Sequence, residues 1–275
     1  MNAEVFNPSE LDGVPIVRVE ADGLVARKAG SGPALVFFHG GRGSWNHWYR
    51  NIGPLARDFT VYAPDLPGFG ESMGLNLQMT FEDYLPITVK AIQALCRDED
   101  RLFLAGFSFG GMTAAGVAAA LGDRVAKLSL QAPAGWGGED RVPEGMRSLR
   151  RDMTDAEINE VHRFNLGVML LDHPENVTDE STAFQRYNID SASFNSARES
   201  GYGHLFPALE RVACPVQFII GTKDVVQYPS VEDRVARLRE THPDFRVDLI
   251  EGAGHWAQYD DADAYNRLLT DFLKG

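Results

Sequence analysis

The sequence predicts an α/β protein: a mostly parallel, eight-stranded sheet flanked by helices, with a helical segment inserted late in the chain. Three observations carry this prediction. Apolar runs without alternation occur at residues 34–38, 59–63, 102–106, 125–131, 216–220 and 245–250. Such runs suit strands covered on both faces, as in a parallel sheet. Helical patterns lie between several of these runs, and from about Trp136 to about Leu209 no strand-like run occurs.

Taken in order, residues 14–19 and 24–27 read as an opening hairpin, with Asp22-Gly23 as its turn. Together with the six runs, they make the eight strands. Thr80 with Asp83 resembles a capping box, opening a helix in which Leu85, Val89, Ile92 and Leu95 share one face. Residues 111–120 form a helix of small side chains that can pack closely on a sheet. The last helix repeats the apolar spacing at Tyr265, Leu268, Leu269 and Phe272. The strandless stretch, roughly seventy residues, is too long for a plain loop in a compact domain. Thr154-Asp155-Ala156-Glu157 starts a helix within it. The expected organisation is a core of residues 1–135 and 210–275, with a helical cap of residues 136–209 over the sheet's carboxyl edge.

The length of 275 residues and an apolar content of 44% suffice for a full core. The net charge of −13 argues against nucleic acid and against anionic membrane surfaces as partners. No run of eighteen apolar residues occurs, so no membrane span is expected. Met1 to Pro8 lacks a basic start and an apolar stretch, which predicts a soluble cytoplasmic protein. Cys96 and Cys214 are expected as reduced, packed thiols. A homo-oligomer is left open.

The chemistry centres on Gly106-Phe107-Ser108-Phe109-Gly110, directly after the run ending at Gly106. Gly-x-Ser-x-Gly between a strand and a helix is a nucleophile elbow, whose glycines allow close backbone approach at a sharp turn. A serine hydroxyl needs a neighbouring base, and that base needs an orienting group. His255, in Gly252-Ala253-Gly254-His255-Trp256 after the last strand, is the candidate base. Asp224, in Gly221-Thr222-Lys223-Asp224 after residues 216–220, is the candidate acid; the loop Ala132-Pro133-Ala134-Gly135 offers no carboxylate. His39-Gly40-Gly41-Arg42-Gly43 follows the first run as an oxyanion loop, so the Gly41 and Phe109 amides are expected to form the hole. His39 is expected to support that loop, and Arg42 to be solvated.

Elbow, oxyanion loop, acid and base, in the order Ser108, Asp224, His255, resemble an α/β-hydrolase along nearly the whole chain. Asp65-Leu66-Pro67-Gly68-Phe69-Gly70-Glu71-Ser72 also resembles a turn of that fold. Gly254-His255-Trp256-Ala257-Gln258, followed by Asn266-Arg267-Leu268, resembles the C-terminus of meta-cleavage-product hydrolases. Those enzymes break a carbon–carbon bond in 2-hydroxy-6-oxo-dienoates. The resemblance implies that Trp256 lines the substrate pocket and that Arg186, as a cap arginine, binds a substrate carboxylate.

The chain departs from that subfamily in carrying Phe107 where asparagine usually precedes the nucleophile, and Arg42 and Ser44 in the oxyanion loop. Phe107 makes the site more apolar and better matched to esters, lactones or simple acyl groups. The expected protein is therefore a cofactor-independent serine hydrolase forming an acyl-enzyme on a small carboxylic ester or lactone. The alternatives are a carbon–carbon hydrolase, an acyltransferase or perhydrolase, and a non-catalytic small-molecule receptor. Phe107, Phe109, Trp256, Trp45 and Trp48 are candidate pocket walls, and arginines 141, 147, 150 and 151 could favour anionic substrates or form a solvated face. No metal spacing occurs: His162 and His173 are eleven apart, and Cys-x-x-Cys and His-Glu-x-x-His are absent. The glycines at 40, 41 and 43 fail the dinucleotide pattern.

Overall fold

A computed structural model describes residues 6–138 and 144–275. The chain opens with β1 (Glu10–Leu11), β2 (Val14–Ala21) and β3 (Leu24–Ala29), which pair antiparallel in succession. Asp22 and Gly23 both take positive φ, 49° and 76°, so the β2–β3 turn has the mirror-image geometry that matches strand twist. Then come β4 (Ala34–Phe38), β5 (Thr60–Pro64), β6 (Leu102–Phe107), β7 (Val125–Gln131), β8 (Val216–Gly221) and β9 (Arg246–Ile250).

These strands form a nine-stranded sheet in the order β1-β2-β3-β5-β4-β6-β7-β8-β9, parallel from β5 onward. The expected count of eight is thereby corrected to nine. The added strand, β1, has only two residues, too few to carry a periodic signal.

The lack of alternation in the central strands has a direct cause. On β4, Val36 and Phe38 enter one hydrophobic cluster, while Leu35 and Phe37 enter the other on the opposite face. All five residues of β4 are buried. Helices α1 (Tyr49–Leu55) and α10 (Ala262–Lys274) share the second cluster, in which Trp48 stacks on Phe37 at 4.2 Å. Helices α2 (Phe81–Leu95) and α3 (Phe109–Leu121) supply the first. Thr80 caps α2 by accepting from the Asp83 amide. Gly116 lets α2 approach α3, since a Cβ there would lie 2.8 Å from the Leu85 methyl groups. Helix α8 (Val231–Thr241) lies between β8 and β9, and the short α9 (Ala257–Asp260) precedes α10.

Between Gln131 and Val216 the described residues hold helices and turns but no strand. They comprise α4 (Asp155–Met169), a 3₁₀ turn (Pro174–Asn176), α5 (Asp179–Asp190), α6 (Ser196–Ser200) and α7 (Leu205–Leu209). The Thr154 side chain accepts from the Glu157 amide while the Glu157 carboxylate accepts from the Thr154 amide, a full capping box for α4. Helices α4 and α5 pack on each other, and α6 and α7 pack on α3.

Arg147 lies over the Phe164 ring and near Glu160, and Arg150 pairs with Asp152; both are exposed, as is Arg151. Arg141 lies outside the described residues. Among the described residues, no helix is long and apolar enough to cross a membrane.

Candidate active site

The parallel strands β4, β6 and β8 end at one edge, and the candidate residues occupy the loops there. Ser108 sits between β6 and α3 at φ 52°, ψ −118°, a left-handed backbone that a side chain adopts only under constraint. Its amide donates to Gln131 O, and its carbonyl accepts from the Gly111, Met112 and Ala134 amides. The flanking glycines are obligatory for closeness. A Cβ on Gly106 would collide with the Gly110 backbone, and one on Gly110 with the carbonyls of Phe38 and His39.

His255 Nε2 lies 3.1 Å from Ser108 Oγ, and His255 Nδ1 lies 2.8 Å from Asp224 Oδ2. The Asp224 carboxylate is fully buried, and its oxygens also accept from the Val226 amide at 2.9 Å and from Gln227 Nε2 at 3.1 Å. The structure thus brings Ser108, His255 and Asp224 together in one hydrogen-bonded line. An imidazole held between a carboxylate and a hydroxyl can accept the hydroxyl proton, with the carboxylate stabilising the resulting cation.

The loop carrying His255 is held from several directions. Gln131 Nε2 donates to His255 O, and the Trp256 amide donates to Leu170 O. Asp260, whose carboxylate is fully buried, accepts from the amides of Gly254 at 2.8 Å and Asp172 at 2.9 Å. It also accepts from Asn176 Nδ2 at 2.9 Å, joining the histidine loop to the helical stretch between β7 and β8.

The candidate oxyanion loop is equally constrained. His39 donates through Nδ1 to Gly40 O at 2.8 Å and accepts at Nε2 from the Leu66 amide at 2.9 Å. Burial lowers its pKa to about 4, which keeps Nε2 free to accept. His47, buried and likewise pushed well down by burial, accepts from the Gly40 amide at 3.1 Å. Asp65 accepts from the amides of Trp45 and Glu71, each at 2.8 Å, and burial raises its pKa to about 6. A Cβ on Gly70 would strike that carboxylate, so glycine is required in this turn. A Cβ built on Gly41 would lie 3.5 Å from Phe109 Cβ, so the two candidate oxyanion donors are neighbours. Among the described residues neither amide has a partner.

The remaining sequence candidates fall in different places. Phe107 is 2% exposed and packs its ring between His47 and His255. Trp256 stacks on Tyr259 at 4.2 Å and donates from Nε1 to His47 O. Trp45 and Trp48 are core residues. Arg186 donates to Asp155 Oδ1 at 2.6 Å and Asn159 Oδ1 at 2.9 Å, with Asp190 3.7 Å away, tying α5 to α4. It is not among the groups brought together at Ser108.

Donor atoms of Glu82, Glu199 and His204 lie within 4.8 Å of one another. Both Glu199 oxygens, however, are already engaged, by Arg198 Nε and by the Phe81 amide. Sequence reasoning missed Gln131, Asp260 and Ser196, whose partners lie 84 to 154 residues away or on a different loop.

A profile described as the alpha/beta hydrolase family matches residues 35–268. The chain belongs to that family. This hydrolase is 29% identical over 259 residues to the 2-hydroxy-6-oxo-6-phenylhexa-2,4-dienoate hydrolase of Burkholderia cepacia, covering 89% of each chain. It is 30% identical over 264 residues to the enzyme of that name from Comamonas testosteroni, covering 90% of each. Among solved structures, naproxen esterase from Bacillus subtilis superposes with a TM-score of 0.77 at 17% identity, covering 98% of this chain and 96% of that one. The 2-hydroxy-6-oxo-6-phenylhexa-2,4-dienoate hydrolase of Rhodococcus sp. strain RHA1 superposes with a TM-score of 0.74 at 20% identity, covering 95% and 100%. These structures share the fold of the hydrolase.

Proposed function

We propose that the hydrolase cleaves a small carboxylic ester or lactone through an acyl-enzyme on Ser108. The observation that carries this reading is the line Ser108 Oγ, His255, Asp224, with separations of 3.1 and 2.8 Å. His255 Nε2 takes the Ser108 proton as Oγ attacks the substrate carbonyl carbon. Asp224 holds the Nδ1–H tautomer and stabilises the imidazolium. The carbonyl oxygen, now an oxyanion, accepts from the Gly41 and Phe109 amides, each worth about 2.7–4 kcal/mol in the transition state. The alcohol leaves with the proton from His255. Water, deprotonated by the same histidine, attacks the acyl carbon and frees Ser108.

Two features support an ester over a dienoate. Phe107 places an apolar ring beside His255, so this position offers no polar side chain to a second substrate oxygen. The Arg186 charge is taken up by Asp155 and Asp190 within the cap. The names of the 29–30% identical relatives favour a second reading, hydrolysis of a carbon–carbon bond by the same three residues.

The deciding measurement is kcat/KM for a short p-nitrophenyl ester against a 2-hydroxy-6-oxo-dienoate, with Ser108→Ala as control. Preference for the ester is expected. A hundredfold preference for the dienoate would replace the first reading with the second.

A further inference from the structure

The Gly41 amide can serve a transition state only if its two flanking peptide planes are held, because glycine itself resists few torsions. The plane joining residues 40 and 41 is fixed by His39, which holds the Gly40 carbonyl. The plane joining residues 41 and 42 is fixed from the insert. The Arg42 amide donates to Ser196 Oγ at 3.1 Å, and Arg42 takes φ 47°, a left-handed conformation unusual for a side chain.

Ser196 is fully buried, and its Oγ would stand 2.8 Å from a Cβ built on Gly41, so it packs beside the glycine where no side chain would fit. The same stretch is gripped a second time: Ser44 Oγ donates to Asn188 Oδ1 at 2.7 Å, and Asn188 Nδ2 donates to Asn46 Oδ1 at 2.8 Å.

We infer that Ser196, from the insert, is a positioning residue that aims the Gly41 amide, so that the oxyanion hole is complete only with the insert docked. This inference rests on the acyl-enzyme reading above. Among the described residues, the side chain makes no hydrogen bond to Ser108 or His255. Its effect must therefore appear where the oxyanion is bound, and not in ground-state affinity.

Ser196→Ala removes the acceptor, and Ser196→Cys keeps a weaker acceptor in a slightly larger side chain. Ser193→Ala is the control. Ser193 also joins the insert to the core, accepting from the Leu75 amide at 3.0 Å and bonding Gly68 O, but it does not touch the oxyanion loop.

The readouts are kcat and KM for a p-nitrophenyl ester, and inhibition by a trifluoromethyl ketone, whose serine adduct carries an oxyanion. Ser196→Ala is expected to lower kcat about tenfold or more with KM within twofold, and to weaken ketone inhibition by the same factor. Ser196→Cys should fall in the same direction by less, and Ser193→Ala should leave the ratio of ketone to substrate affinity unchanged. Wild-type kcat and ketone inhibition in a folded Ser196 variant, or an equal change in Ser193→Ala, overturns the inference. Retained turnover in Ser108→Ala would instead remove the acyl-enzyme reading itself.

Discussion

Replacing Asp224 by asparagine is the sharpest test of the proposed mechanism, because it changes charge and proton placement without changing shape. Oδ2 of Asp224 accepts from two donors, His255 Nδ1 and Gln227 Nε2, while Oδ1 accepts from the Val226 amide. Asparagine has one carbonyl oxygen and one NH₂. If its oxygen serves the backbone amide of Val226, its NH₂ faces both Gln227 and the histidine. The imidazole then turns its lone pair at Nδ1 toward that NH₂ and carries its proton on Nε2. In that tautomer it cannot take the Ser108 proton.

The expected loss in kcat is about 10⁴-fold, or about 5 kcal/mol of transition-state stabilisation, as for a base locked in the wrong tautomer. The melting temperature should change little by comparison. The assay is steady-state p-nitrophenyl ester hydrolysis across pH, with circular dichroism as the check on folding. A well-folded Asp224→Asn retaining kcat within tenfold of wild type would refute the role assigned to Asp224.

Four further outcomes are expected. Ser108→Ala should lose several orders of magnitude in kcat, leaving what the oxyanion hole and binding supply, as read by single-turnover kinetics. Gly110→Ala should cost about 1–3 kcal/mol by pushing α3 away from the Phe38 and His39 carbonyls, seen as a lower urea midpoint. His39, with its folded pKa lowered to about 4 against an ordinary 6.5, stabilises the native state above pH 6.5. That stability drains away as pH falls toward 4, because only the unfolded chain binds the proton; about 3 kcal/mol is at stake, and His39→Gln should flatten the curve of unfolding free energy against pH. Arg186→Ala should leave ester kcat/KM within about twofold and lower stability by about 1 kcal/mol or less, since its partners are largely exposed; a large rise in KM confined to a dienoate would instead mark a carboxylate contact.

What the sequence discloses follows from how local each constraint is. The elbow is readable because Gly106 and Gly110 meet only four residues apart, so the whole requirement fits in a pentapeptide. Asp224 and His255 are readable as candidates because each lies in the loop that follows a strand run, β8 and β9, at the same sheet edge. The nine-strand count was hidden by a strand of two residues. The supports were hidden because their partners are remote: Ser196 and Arg42 are separated by 154 positions, and Asp260 and Asp172 by 88. Arg186 illustrates the converse. Its position in the insert is visible, but which carboxylates surround it depends on how α4 and α5 pack.

The Asp260 carboxylate also bears on how such a protein can be re-engineered. It fastens Gly254, beside the histidine, to Asp172 and Asn176 of the insert, and the Leu170 carbonyl fastens the neighbouring Trp256 amide. The insert is therefore not an interchangeable module. A chimera that borrows a relative's residues 136–209 would lose the anchor points of the His255 loop, on which the proposed mechanism depends. Its turnover would fall even for ligands that fit. Grafts that retain residues 170–176, Asn188 and Ser196 together with Asp260 should keep activity, and those that cut across these contacts should bind without turning over.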